Sequence, residues 1–165
     1  MINTKIDRIN RSQIFIGLAG LIAGLSVYLV NRPPEEIYLI YGITKISLYN
    51  VLPDFFGIFG NYLPAFIHVF SFILITAGLL RFQKRGYLLI CVSWFLVDCG
   101  FEIGQRFNTV VLKIIPDWFR GIPFLENTEN YFLHGTFDAI DMLAIAFGTI
   151  ISYLILLATN AEKGR

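Results

Sequence analysis

The chain has 165 residues, of which 56% are apolar, 16% aromatic and only 15% charged, with a mean hydropathy of +0.65; soluble domains carry about a quarter charged residues. Thirteen Lys and Arg against twelve Asp and Glu leave a net charge of +1, which lacks the basic footprint of a nucleic-acid-binding protein. Cys91 and Cys99 fall inside one apolar run, so neither a disulfide framework nor a Cys/His zinc spacing is present.

A bilayer core takes about 20 apolar residues as helix, and four runs approach that length. The first, Ile14 to Val30, follows Lys5, Arg8 and Arg11 and ends in Asn-Arg-Pro-Pro. It has no small-residue cleavage pair and reads as a retained anchor, not a signal peptide. Gly17, Gly20 and Gly24 on it include a small-xxx-small pair that lets a neighbouring helix approach closely. The connection 31–62 carries Glu35, Glu36, Asp54 and three prolines, and its stretch Glu36 to Tyr49 suits a short helix lying in the membrane interface.

The second run, Leu63 to Leu80, contains His68 and, one turn on, Ser71; a tight turn with Arg81, Lys84 and Arg85 follows. The third, Tyr87 to Gln105, ends in Asp98, Glu102 and Gln105, and spacings of four and three residues put these on one helix face. The connection 106–136 holds Pro116, Pro123, Asp117, Glu126 and Glu129; Val110 to Phe119 suits a second interfacial helix, and Tyr62, Trp118, Tyr131 and Phe132 are placed as an aromatic belt. The fourth run, Phe137 to Ala158, opens with Asp138 and Asp141, and Gly148 and Ser152 continue their stripe. The fold expected is a single all-α membrane domain over 1–165: a four-helix transmembrane bundle with short interfacial helices in the two longer loops.

Basic residues in short flanks are retained on the cytoplasmic side. Those before the first run, those in the tight turn, and Lys163 and Arg165 at the end place both termini in the cytoplasm and both longer loops outside. A rise of about 1.5 Å per residue then puts His68 roughly 8 Å below the outer end of its span. Glu102, Gln105, Asp138 and Asp141 fall in the same outer leaflet, and Asp98, a turn deeper than Glu102, forms the floor of a shared pocket.

Ionisable groups at the centre of a span cost about 2.5 to 3.5 kcal/mol each on insertion scales. None of the four runs holds a Lys or Arg. The carboxylates must therefore be protonated, hydrated, metal-bound, or paired with His68 or a loop cation such as Arg106. Plainer roles stand beside these. Asp138 can cap its helix, His68 can hydrogen-bond between helices, and Gln105 and Arg106 can be ordinary interface residues.

His68 early in one span, the E-x-x-Q of Glu102 to Gln105 ending the next, and the F-D-x-x-D-x-L-A-x-x-x-G of Phe137 to Gly148 opening the last together resemble the VanZ-like family of small bacterial membrane proteins, over about residues 64 to 156. The resemblance implies a multi-pass protein of the bacterial cytoplasmic membrane, with a possible effect on glycopeptide antibiotic sensitivity. The family positions map onto His68, Glu102, Gln105, Asp138 and Asp141. The chain departs from the family at Ile145, where an asparagine is usual, and at Gly135-Thr136, where an arginine is.

Three functions are compatible with these residues. In the first, the pocket of His68, Asp98, Glu102, Gln105, Arg106, Asp138 and Asp141 binds an amphiphile such as an envelope lipid or lipopeptide. In the second, a divalent cation held by Glu102, Asp138, Asp141 and His68 supports catalysis on an envelope lipid, with His68 as ligand or general base. In the third, the same groups form a proton or ion relay of a small transporter.

Overall fold

The computed structural model describes residues 9–34, 45–80, 84–122 and 125–161. Lys5, Arg8, Arg81, Lys163 and Arg165 of the orientation argument, the loop residues Glu35, Glu36 and Pro123, and most of the expected Glu36 to Tyr49 helix lie outside them.

Helix α1 spans Arg11–Asn31, opened by the Asn10 side chain accepting from the Gln13 backbone N–H at 3.4 Å. It stops where Arg32 precedes Pro33 and turns extended, as the clash with a following proline ring dictates. Helix α2, Phe59–Leu80, starts four residues before the hydropathy boundary. Asp54 sets up that start: its Oδ1 accepts from the backbone N–H groups of Phe56 at 3.1 Å and Gly57 at 2.8 Å. Helix α3 is Lys84–Arg106. Short helices α4, Asn108–Ile114, and α5, Thr128–His134, follow, with 3-10 turns at Asp117–Gly121 and Leu125–Asn127 between them. Helix α6, Ala139–Ala161, closes the described chain.

Four of these helices, α1, α2, α3 and α6, are long and apolar enough to cross a membrane, and the protein is an all-α bundle of the multi-pass type. Helix α2 is its hub, packed against α1, α6 and α3, while α3 also lies along α6. Small residues set the spacing. A Cβ on Gly17 would lie 2.7 Å from Ile75 Cγ1 and 2.9 Å from the Ser71 carbonyl, and one on Gly78 would lie 2.7 Å from Ile14 Cγ1. Those pairings run α1 antiparallel to α2, so the glycine stripe is used within the monomer. On the other side of α2, a Cβ on Gly148 would meet the Phe66 carbonyl at 2.7 Å, and the Ser152 hydroxyl, fully buried, donates to Gly148 O at 2.7 Å and Phe70 O at 3.3 Å. The stripe of α6 therefore faces α2 as its sequence pattern predicts. Val69, Ile73, Leu74, Ile145 and Leu156 fill the centre, whereas Phe15, Ile22, Leu89, Leu96 and Leu143 point outward, the arrangement of a bundle whose solvent is lipid.

The ends of the bundle differ. At one, Gln13 is fully enclosed, and its amide donates to the Tyr87 hydroxyl at 3.3 Å and to Thr159 Oγ1 at 2.9 Å, tying α1, α3 and α6 together. At the other, the loops fold over α3. Phe132 of α5 is buried, stacks on Phe101 at 5.8 Å with nearly parallel rings, and sits where a Cβ on Gly104 would be, 2.7 Å away. Phe132 is thus a packing residue and not part of an aromatic belt; Trp118 stays exposed. The expected helix over Val110 to Phe119 appears as α4 plus the 3-10 turn. Residues 45–49 are not helical: Lys45 and Asn50 flank them with φ of 55° and 61°, and Leu48 N–H bonds back to Leu29 O at 2.9 Å. Left-handed backbone of that kind interrupts a helix.

Candidate functional site

The last two turns of α3 and the first turn of α6 meet at the Glu102 end of the bundle. Heptad-like spacing brings Asp98, Glu102 and Gln105 to the buried side of α3, and all three are buried. Opposite them, Asp138 is the N-cap of α6: its Oδ1 accepts from the Ile140 backbone N–H at 2.8 Å. The capping role is therefore real, because an Asp at this position satisfies one of the free amides of the first turn. The backbone of the same residue lies near enough to the Glu102 carboxyl group to influence it.

One oxygen of Glu102, Oε2, is buried with no hydrogen-bond partner, and so is Oδ1 of Asp141. Glu102 lies within electrostatic reach of Asp141, Asp138 and Asp98, and Asp141 within reach of Arg32, which follows α1 and donates from Nη2 to Asn61 O at 3.3 Å. Two of these carboxyl groups, one on α3 and one on α6, each keep a buried oxygen with no hydrogen-bond partner. Leaving a buried carboxyl oxygen without a partner is costly to a fold.

The remaining candidates divide. Gln105 lies near Tyr131 of α5; burial, together with the negative charge of Glu102, pushes the Tyr131 phenol up, so it stays neutral. Arg106 is not paired with the carboxylates: its guanidinium lies over the Phe137 ring, 5.5 Å from the centroid, a cation–π contact that holds the chain entering α6. Ser71 belongs to the α1 seam, against Gly20, and not with His68.

His68 does not join Glu102 and Asp141. Its Nδ1 lies 3.0 Å from Asp98 Oδ2, with the imidazole 51% exposed and the Asp98 side chain 7%. From the start of α2 His68 is roughly 13 Å deep, and from the end of α3 Asp98 is roughly 12 Å deep, so matched depth brings them together. The ring stands beside Phe72, at 4.5 Å between centroids, and edge-on to Trp94, whose indole N–H donates to Thr76 Oγ1 at 3.0 Å.

The expected metal set is not assembled. Among the described residues no three His, Cys, Asp or Glu side chains are placed to share one ion; His68 is drawn off by Asp98, and an oxygen of Asp138 by the α6 amides. Sequence reasoning missed Arg32, which bears electrostatically on Asp141, and Tyr131, which lies near Gln105. Neither carries a motif, since both are placed by the folding of loops over the bundle end. No protein-family profile, no curated protein and no solved structure matches this chain.

Proposed function

We propose that this is a VanZ-like protein of the bacterial cytoplasmic membrane whose carboxylate cluster opens to the outer leaflet and binds the headgroup of an amphiphilic envelope lipid or lipopeptide. The observation that carries the reading is the pair of buried, donorless oxygens, Glu102 Oε2 and Asp141 Oδ1, at the end of the bundle where loops meet the helices. A structural carboxylate is held by its donors, and a binding carboxylate keeps an acceptor for its ligand. The order of the His68, Glu102-x-x-Gln105 and Asp138-x-x-Asp141 motifs supports the family assignment, and the basic flanks support the orientation.

Native mass spectrometry of protein released from its own membrane tests the reading, comparing wild type with a Glu102→Gln, Asp138→Asn, Asp141→Asn variant. Lipid bound to wild type and lost from the variant is the expected result. Equal lipid retention by both would place binding elsewhere.

One contact favours a second reading. The His68–Asp98 pair at 3.0 Å is the geometry by which a carboxylate orients an imidazole as general base, so a lipid reaching from the Glu102 end to His68 would also be a substrate, with His68 taking the proton of a water that attacks one of its esters. Turnover of a bound lipid that disappears in Asp98→Asn, while lipid retention persists, would establish this; lipid recovered chemically unchanged would leave binding alone.

A further inference from the structure

The headgroup chemistry follows from which polar atoms the site leaves over. Building on the reading of the cluster as a lipid pocket, we infer that the group it accepts is a primary ammonium, carried by a zwitterionic phospholipid of the ethanolamine type.

Several donors around the cluster are already committed. The Ile140 N–H goes to Asp138 at 2.8 Å. Imidazole Nδ1 of His68 lies against Asp98, and the Arg106 guanidinium against Phe137. Arg120, in the same loop, is bound to Glu129 at 2.9 Å. What is left over is acceptor on both sides of the seam: Glu102 Oε2 from α3 and Asp141 Oδ1 from α6, both buried. Glu102 is more than nine-tenths buried, at 8% exposure.

A ligand that completes this site must bring positive charge and more than one N–H. A primary ammonium has three donors and can bond Glu102 and Asp141 together. A quaternary ammonium has the charge but no donor, and a glycerol headgroup has donors but no positive charge. Among the described residues no three His, Cys, Asp or Glu side chains are placed to share one metal ion, so a divalent cation would have to be completed by water, whereas an ammonium is completed by the two carboxylates themselves.

The test is a headgroup series on delipidated full-length protein in detergent: phosphatidylethanolamine, phosphatidylcholine and phosphatidylglycerol of identical chains, with occupancy read by native mass spectrometry. Wild type is expected to retain the ethanolamine lipid about tenfold over the other two, and Glu102→Gln and Asp141→Asn are each expected to level the series. Excess free phosphoethanolamine separates the sources of the ammonium: failure to displace the lipid assigns the site to a membrane lipid, and displacement assigns it to the amine headgroup irrespective of chains. Equal retention of all three lipids by wild type, lost in the variants, would overturn the ammonium assignment and leave the lipid pocket standing. Retention of none by wild type would overturn both. The wild-type series needs no variant to fold, and Asp141→Asn, on a partly exposed residue, provides a second substitution beside Glu102→Gln.

Discussion

Gln13 and Glu102 occupy opposite ends of the same bundle, and both are buried polar side chains with one oxygen lacking a partner. Gln13 uses its amide to join three helices, through Tyr87 and Thr159, and its leftover atom is a neutral carbonyl. Glu102 lies within electrostatic reach of Asp141, Asp138 and Asp98, and its leftover atom belongs to an ionisable group. An unsatisfied neutral acceptor costs about 1 to 3 kcal/mol, and a charged one more. The first end is built to hold the fold. The second gives up stability where it presents an acceptor, which is the mark of a site that a ligand completes.

Substitution should separate the two regions by sign as well as size. The largest loss is expected where the seam itself is forced open. Gly17→Leu drives a side chain into Ile75 and the Ser71 carbonyl, and overpacking of this kind costs about 3 kcal/mol. A sharp fall in the thermal midpoint, with lipid occupancy of the surviving folded fraction unchanged, would keep the structural and binding regions distinct. Gln13→Ala removes both interhelical hydrogen bonds and leaves a void, for an expected loss of about 2 kcal/mol by denaturant titration. No change there would show that the Gln13 end is not the structural anchor.

Glu102→Gln should go the other way. It keeps the shape, removes a buried charge and adds donors that can turn to Asp141, so lipid-free protein should gain about 1 to 2 kcal/mol. A loss of similar size would move Glu102 among the residues that hold the fold. The smallest effect distinguishes the two duties of Asp138. Asp138→Ala should cost about 1 kcal/mol through the lost cap, while Asp138→Asn, which still caps, should leave the unfolding midpoint unchanged.

The division was only partly legible in the sequence. The four long helices follow from runs of apolar residues, and the shared face of Asp98, Glu102 and Gln105 from helical spacing, because both depend on local periodicity. Helix α2 begins before its apolar run because Asp54 and the turn at Gly57 nucleate it, and turn chemistry does not register in hydropathy. Depth could be read for His68, and it matches that of Asp98. Its direction around the helix could not be read, since each residue turns the side chain by about 100° and the packing of α2 between three neighbours decides which way it faces. That rotation leaves His68 beside Phe72 and Trp94 instead of inside the carboxylate cluster. Arg32, Tyr131 and Phe132 were invisible as site or packing residues for a related reason. Each reaches the Glu102 end only through the path of a loop, and no spacing within a helix encodes that path.

The most direct test of the central claim is the number of phospholipids retained by the Glu102→Gln protein relative to wild type, counted by native mass spectrometry under identical detergent extraction. A site completed by a ligand predicts one lipid fewer on the variant, with the protein otherwise intact. The same lipid count on both proteins would contradict it, and would return Glu102 to the role that Gln13 plays at the other end.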